Sequence, residues 1–199
     1  MSGSGSRIGR QHQVRIIGGR WRGRKLAFSP ADGLRPTGDR VRETLFNWLA
    51  ADIDGARCAD LFAGTGALGL EALSRGATLC DFVDNSRTAL TRIADHLQRL
   101  EALGQGRCHP GPAQHFLEAA TLPYDIVFID PPFNLHLVEL TCNALAQRRL
   151  LRDDALVYIE SQAKDPPPQV PPGWSLRRDK VAGGVAYRLY SVDRTDGLY

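Results

Sequence analysis

Four consecutive residues, Asp130-Pro131-Pro132-Phe133, combine the groups that can hold a planar base with an amino substituent. They follow the largely apolar run 124–129, which predicts a buried parallel strand. The two prolines stiffen the turn and remove two backbone donors, which leaves carbonyl oxygens as acceptors. An ionised carboxylate also only accepts hydrogen bonds, and an aromatic ring offers a stacking face. A base-binding pocket is therefore one interpretation, and a proline-rich turn that merely caps the strand is the other.

A glycine-rich segment, Asp60–Gly69, leaves a predicted strand at 58–62 and enters a predicted helix at 67–74. Its glycines permit a tight turn and the close approach of a ligand to backbone N–H groups. Residues 64–69 also spell GxGxxG, a pattern that is typical of nicotinamide and flavin sites. Asp84 ends the next predicted strand, where such cofactors present their ribose hydroxyls to a carboxylate. These two signals predict an adenosine-containing ligand without deciding which one.

Three observations favour S-adenosyl-methionine over a dinucleotide. Asp60 precedes the loop, where a carboxylate suits an ammonium group and repels a pyrophosphate. The sheet ends in a hairpin instead of a second nucleotide-binding half, and the 130–133 pocket lies at the ligand-binding ends of the strands. The expected cofactor-binding residues are Asp60, Phe62, Gly64, Thr65, Gly66, Asp84 and Asp130.

Strands and helices alternate from residue 57 onward, which predicts a Rossmann-like α/β fold with a mostly parallel, doubly wound sheet. Two final strands, at 175–181 and 185–191, predict an antiparallel C-terminal hairpin. At the other end, 14–17 and 25–28 flank a glycine-rich turn and predict a second hairpin. We therefore divide the chain into a flexible tail (1–12), a basic N-terminal hairpin extension (13–36) and one body (37–199).

Positive charge is concentrated near the beginning of the chain. Residues 1–42 contain ten Lys or Arg and two Asp, a net charge of +8, so the remaining residues carry −5 of the total of +3. Such runs often only solvate a surface, but an aromatic among arginines and glycines also suits contacts with RNA backbone and bases. The predicted RNA-binding residues are Arg15, Arg20, Trp21, Arg22, Arg24, Lys25, Arg35, Arg40 and Arg42. For Arg42, which lies on the predicted helix close to the proposed site, the alternative is an ion pair with a carboxylate.

Other functional classes lack a signal in the sequence. The four cysteines and five histidines have no metal-ligand spacing, so no metal is expected. No apolar run approaches the roughly 18 residues of a membrane span, and the polar start lacks a signal-peptide core. The sequence thus predicts a cytoplasmic protein without a membrane partner.

Over almost its whole length, from residue 15 to residue 190, the chain is similar to the ribosomal RNA small subunit methyltransferase D family. The Asp-Pro-Pro-aromatic motif is shared with DNA adenine and cytosine amino-methyltransferases, whereas the N-terminal motifs are more specific to this family. The matching motifs are Arg15-Ile16-Ile17-Gly18-Gly19, Trp21-Arg22-Gly23-Arg24-Lys25-Leu26, Leu34-Arg35-Pro36-Thr37, Asp39-Arg40-Val41-Arg42-Glu43-Thr44-Leu45-Phe46-Asn47, Asp60–Gly69, Leu70-Glu71-Ala72-Leu73-Ser74-Arg75-Gly76-Ala77, Asp84 and Asp130–Phe133.

The resemblance implies methylation of the exocyclic N2 of a guanine in 16S rRNA, at guanine 966, within a partly or fully assembled small subunit. It implies that Asp130 and the Pro131 carbonyl accept the amino protons and that Phe133 stacks on the base. The chain departs from the family at Pro112, where Asp or Asn often contacts the adenine, so only the Ala113 N–H is expected to do so. The alternatives are an amino-methyltransferase for DNA or another RNA, and a non-catalytic RNA-binding assembly factor.

Overall fold

The computed structural model describes residues 12–28, 38–132 and 135–193, and only the backbone of His12 and Leu135. The predictions for the tail at 1–11, for Arg35 and for Phe133 therefore concern residues outside these ranges. His12, the last residue of the predicted tail, instead begins a strand. No helix in the described ranges is both long and apolar enough to cross a membrane. The elements are β1 (His12–Arg15), β2 (Lys25–Phe28), α1 (Asp39–Trp48), β3 (Arg57–Asp60), α2 (Ala67–Ser74), β4 (Leu79–Asp84), α3 (Arg87–Arg99), β5 (Gly106–Pro110), α4 (Ala113–Ala119), β6 (Tyr124–Ile129), α5 (Leu135–Gln147), β7 (Leu151–Gln162), β8 (Trp174–Ala182) and β9 (Val185–Val192).

The central sheet has seven strands in the order β5-β4-β3-β6-β7-β9-β8. The first five are parallel, whereas β9 pairs antiparallel with both β7 and β8. Apolar side chains of α1, α2 and α3 cover one face of the sheet, and those of α4 and α5 cover the other. The predicted doubly wound, mostly parallel sheet with an antiparallel C-terminal hairpin is therefore confirmed.

Helix α3 illustrates how the local sequence determines an element. The Ser86 hydroxyl caps its N-terminus by accepting a hydrogen bond from the Ala89 N–H at 3.2 Å. Leu90, Ile93 and Leu97 recur at helical spacing and are buried against the sheet. The helix thereby covers β4 and β5 on the face that also carries α2.

Helix α2 packs very closely on the sheet because Gly69 has no side chain. A Cβ atom at this position would lie 2.3 Å from the Phe82 ring and 2.7 Å from the Cys80 sulfur. All eight residues of the helix are buried. Its N-terminal end is thus fixed next to the ends of β3 and β4, where the glycine-rich loop joins it.

The N-terminal hairpin, β1 and β2, runs along the outer side of α2 and is part of the same core. Ile16, Trp21 and Leu26 belong to the apolar cluster that contains α2 and α3. Gly19 makes the contact possible, since it has φ +73° and a Cβ there would lie 1.8 Å from the Ser74 carbonyl oxygen. The predicted hairpin is confirmed, while its boundary with the body at 36/37 falls outside the described residues.

Candidate active site

The carboxyl ends of three neighbouring parallel strands each carry an aspartate. Asp60 ends β3, Asp84 ends β4, and Asp130 directly follows β6. Strand β3 lies between β4 and β6, where the order of the strands reverses direction. Ligands of open α/β sheets bind at such switch points. The fold therefore places at one edge the carboxylates that the sequence predicted to bind cofactor and base.

The glycine-rich loop at 61–66 contacts the Asp84 carboxylate. The Gly64 N–H donates to Oδ2 at 2.8 Å, and the Ser86 N–H donates to Oδ1 at 2.7 Å. Gly64 and Gly66 have φ values of 52° and 75°, a region that favours glycine. Asp84 is partly exposed, and each of its oxygens can accept a further hydrogen bond. This geometry fits the predicted contact between Asp84 and a ribose diol.

Asp60 is buried below the same loop. Its Oδ2 accepts a hydrogen bond from the Gly69 N–H in the first turn of α2 at 3.0 Å. Burial raises the pKa of Asp60 to about 7; the Gly69 hydrogen bond opposes this rise, and the negative charges of Asp84 and Glu160 add to it. A cationic group bound in the loop would stabilise the ionised form. The structure thus fits the predicted contact with a cofactor ammonium group.

The binding of S-adenosyl-homocysteine is therefore expected to strengthen as the pH rises from about 5.5 to 7. Asp60 is mostly protonated below its pKa of about 7, so an ammonium ligand must displace a proton there, at a cost of up to about tenfold in affinity per pH unit. Calorimetric titrations across this range measure the dependence. Asp60→Asn should flatten the profile, and a flat profile in the parent protein would contradict the ammonium contact.

The remaining predicted cofactor residues lie around the same edge. The Gly111 N–H donates to the Asp84 carbonyl at 3.0 Å, so the turn before α4 lies beside the end of β4. Pro112 caps α4, and Ala113 is its first residue. The first N–H groups of a helix have no acceptor within it, which suits the predicted adenine contact of Ala113. Phe62 and Thr65 are partly buried in the loop at 61–66.

The proposed base pocket begins where the buried strand β6 ends. Ile126, Val127, Phe128 and Ile129 are fully or almost fully buried, which fixes the point at which the chain leaves the sheet. Of the residues that follow, Asp130 is partly buried, Pro131 is buried and Pro132 is exposed. The roles of Asp130, Pro131 and Phe133 in base binding stay predictions.

One further acidic residue at this edge escaped the sequence analysis. Glu160 lies near the end of β7, is 7% exposed, and accepts a hydrogen bond from the Tyr158 hydroxyl at 2.7 Å. Burial raises the pKa of Tyr158 well above its usual value, and the negative charges of Glu160 and Asp130 add to this rise. The Glu160 carboxylate therefore contacts the phenol, and the charge of Asp130 also acts on it. The signal was present, because Glu160 ends an apolar run as Asp60, Asp84 and Asp130 do.

Most of the predicted RNA-binding side chains in the described ranges are on the surface. The turn of the hairpin packs against the C-terminal end of α2, where the Arg20 N–H donates to the Ser74 carbonyl at 2.8 Å. The Arg20 guanidinium also donates to the Gln105 side chain. This basic turn therefore lies about 12 Å from the loop end of α2, given a rise of about 1.5 Å per residue. The exposed members of the set are Arg15, Arg20, Arg22, Arg24, Lys25 and Arg40.

Two members of the predicted RNA-binding set are buried, which contradicts a surface role for them. Arg42 is 1% exposed, and its Nη2 donates to the Arg15 carbonyl at 2.9 Å and to Asp39 at 2.6 Å. Trp21 is 8% exposed and packs in the core, with the Arg20 guanidinium 4.1 Å from its ring centre. The Arg42 side chain lies under the hairpin and the Trp21 ring packs into the core, so both are largely inaccessible to RNA.

Within the part of the chain that the structure describes, no group of three or more His, Cys, Asp or Glu side chains is arranged to hold a metal ion. The cysteines are free thiols, and burial raises the pKa of the Cys142 thiol to about 12. A thiol with a raised pKa is a poor nucleophile at neutral pH.

Comparisons with known proteins agree with this geometry. Residues 14–191 match the family model described as conserved hypothetical protein 95. The chain is 52% identical over 178 residues to ribosomal RNA small subunit methyltransferase D of Escherichia coli K12, and the match covers 89% of each chain. It is 44% identical over 181 residues to the protein of the same name from Haemophilus influenzae, and that match covers 89% of this chain and 93% of the relative. The solved Escherichia coli protein YhhF, described as a methyltransferase, superimposes with a TM-score of 0.85 at 49% identity, covering 92% of this chain and 99% of YhhF. The chain thus has the fold of S-adenosyl-methionine-dependent methyltransferases and belongs to the ribosomal RNA small subunit methyltransferase D family.

Proposed function

We propose that the protein uses S-adenosyl-methionine to methylate the exocyclic N2 of a guanine in 16S rRNA, at guanine 966 if it acts as the family resemblance implies. The observation that carries the proposal is the position of Asp130 and Pro131. They follow β6, next to β3, whose loop and Asp60 form the predicted cofactor site. Base and cofactor would thus meet at one edge of the sheet. We expect this reaction in the cytoplasm, on a partly or fully assembled small subunit.

The protein's contribution would be to position and polarise the amino group. When bound, S-adenosyl-methionine supplies an activated methyl group, so the catalytic residues need only orient the acceptor. The lone pair of the guanine N2 is delocalised into the ring. Acceptance of its two protons by the Asp130 carboxylate and the Pro131 carbonyl would favour a tetrahedral nitrogen with a directed lone pair. Asp130 would then hold the released proton, and Phe133 would stack on the flipped base.

The basic turn of the hairpin would bind RNA at a distance from the reaction. It lies at the far end of α2 from the cofactor loop, while Val14 and Phe28, at the other end of the hairpin, contact Ala67 beside that loop. A surface of this extent suits a large, folded RNA better than a single nucleotide. Its charges would contribute affinity and orientation, since phosphate contacts carry no sequence information.

Neutralising the basic turn should weaken RNA binding and its dependence on salt. We expect the quadruple change of Arg20, Arg22, Arg24 and Lys25 to glutamine to reduce the slope of log affinity against log salt by up to about 3, because about 0.7–0.9 counterions are released per phosphate contact. Titrations of 16S rRNA at several salt concentrations measure this slope.

A matched variant tests whether the effect is specific to the turn. Arg148, Arg149 and Arg152 are exposed around the connection from α5 to β7. Their replacement by glutamine should change the slope little. Equal slopes for the parent and the quadruple variant would show that RNA binds elsewhere on the protein.

A methylation assay tests the proposed function directly. Naked 16S rRNA, assembled small subunits and duplex DNA are each incubated with the protein and labelled cofactor, and the modified nucleoside is identified by mass spectrometry. N2-methylguanine in rRNA or subunits is the expected product. Methylated adenine or cytosine in DNA would favour the alternative amino-methyltransferase. Binding of small subunits without any methyl transfer would favour a non-catalytic assembly factor.

A further inference from the structure

Glu160 of β7 lies beside Asp130, which follows the adjacent parallel strand β6. Ile129 of β6 is in register with Ile159 of β7, and Asp130 and Glu160 are the next residues of their strands. Both therefore lie at the carboxyl ends of the parallel strands, where the base is proposed to bind. Glu160 is almost completely buried, so its carboxylate is not a surface charge that merely aids solubility.

A buried tyrosine, Tyr158, donates a hydrogen bond to the Glu160 carboxylate from the core. Tyr158, two residues earlier on the same face of β7, is fully buried, and its hydroxyl donates to Oε1 of Glu160 at 2.7 Å. The Tyr158 ring in turn packs edge-on against Phe128 of β6, with ring centres 6.4 Å apart. An ionised carboxylate has about four sites that accept hydrogen bonds, so one such group can accept from several donors at once. The phenol thus fixes the orientation of the Glu160 carboxylate.

Burial of the Glu160 carboxylate among other acidic groups lowers the stability of the fold. The charges of Glu160 and Asp84 both raise the pKa of Asp60, so the edge collects like charges that repel one another. Apolar residues of similar volume often stabilise a protein more than buried ionic groups do. A buried carboxylate next to the base pocket is therefore better explained by what it binds.

The hydrogen-bonding edge of guanine matches two neighbouring carboxylates. Guanine presents two adjacent donors, the N1–H and the N2 amino group. Adenine and cytosine present an unprotonated ring nitrogen beside their amino groups, and that lone pair would face a carboxylate. A site built to accept a substrate N–H can reject an analogue without it by about 10⁴-fold or more, because its polar groups are then unpaired.

We infer that Glu160 selects guanine by accepting a hydrogen bond from N1–H, while Asp130 and the Pro131 carbonyl accept those of the N2 amino group. This inference rests on the proposed function, since it requires guanine N2 as the methyl acceptor. Glu160 is then a specificity-determining residue, and Tyr158 is the residue that positions it.

The test replaces the target guanine by 2-aminopurine, which keeps the amino group at C2 but has no proton on N1. Small subunits are reconstituted with either base at the methylated position, and kcat/KM is measured for both. The parent protein should prefer guanine by about 10²-fold or more. In Glu160→Gln this preference should fall at least tenfold, because the amide can turn its N–H towards the unprotonated N1.

The ratio between the two bases is measured within one protein preparation, so it does not depend on the fraction of folded enzyme. Glu160→Asp keeps the charge but withdraws it by one methylene and should give an intermediate ratio. Glu118→Gln, an exposed change of the same type on α4, should leave the ratio unchanged. Equal ratios in the parent, Glu160→Gln and Glu160→Asp would overturn the inference while guanine N2 methylation continues. Failure of the parent to methylate guanine N2 at all would overturn the proposed function as well.

Discussion

Replacing Asp130 by alanine should lower the single-turnover rate of methyl transfer by about 10²- to 10⁴-fold, the usual range for a positioned group that takes part in proton transfer. The carboxylate would be the charged acceptor for the amino group and the place for its released proton. Its loss would leave the Pro131 carbonyl without its charged neighbour as an acceptor. Asp130→Asn should be almost as slow, because the amide keeps an acceptor oxygen but cannot hold the proton.

Rapid-quench methyl transfer to small subunits measures this rate, and calorimetry with S-adenosyl-homocysteine measures cofactor binding separately. Cofactor affinity should change much less than the rate, because Asp60, Asp84 and the loop at 61–66 remain in place. Asp52→Ala provides a control, since Asp52 is exposed in the connection between α1 and β3. A rate within threefold of the parent for Asp130→Ala would contradict the catalytic role.

Features that depend on neighbouring residues in the sequence could be predicted. Strand β6 and helix α2 have the predicted bounds, because continuous apolar runs with glycine or proline at their ends leave little freedom. The strand-end positions of Asp60, Asp84 and Asp130 follow from the same local pattern. Parallel strands then bring their carboxyl ends to one edge, so the convergence of these three aspartates could be predicted without coordinates, whereas their contacts with a cofactor stay predictions.

Features that depend on tertiary contacts could not be predicted. Arg42 lies off the apolar face of α1, so the helical pattern left open whether it contacts RNA or pairs with a carboxylate. The hairpin then covers it, because the Arg15 carbonyl and the Glu71 carboxylate both lie within reach of its guanidinium. For Glu160 the sequence shows that the residue ends an apolar run, but only the register between β6 and β7 shows its position beside Asp130.

The start of β7 also differs from the sequence prediction. The apolar pattern predicted a strand at 155–160, whereas the structure begins it at Leu151. The pairing with β6 shifts register between Tyr124 and Ile126, and Asp154 adopts φ +62°. A bulge of this kind interrupts the alternation of side chains from which a strand is recognised.

The buried Glu71 should be among the residues on which folding depends most. It is 0% exposed in the middle of α2, and its two oxygens accept hydrogen bonds from the Ile17 and Gly18 N–H groups, both at 2.8 Å. It also pairs with Arg75 at 2.7 Å, and it lies 3.6 Å from the Arg42 guanidinium. Glu71→Ala would remove one partner of a buried ion pair and leave two backbone donors without their acceptor. We expect a loss of about 3–5 kcal/mol in the free energy of unfolding.

Denaturant unfolding measures this loss, and hydrogen exchange locates it. Because Glu71 joins the hairpin to α2, the amides of residues 16–26 should lose protection well before those of β3, β4 and β6. Glu71→Gln keeps one acceptor oxygen and should be intermediate, whereas the exposed Glu118→Ala should stay within about 0.5 kcal/mol of the parent. Unfolding of Glu71→Ala at the same denaturant concentration as the parent would contradict this role. It would show that the apolar contacts of Ile16, Trp21 and Leu26 are sufficient to hold the hairpin on the core.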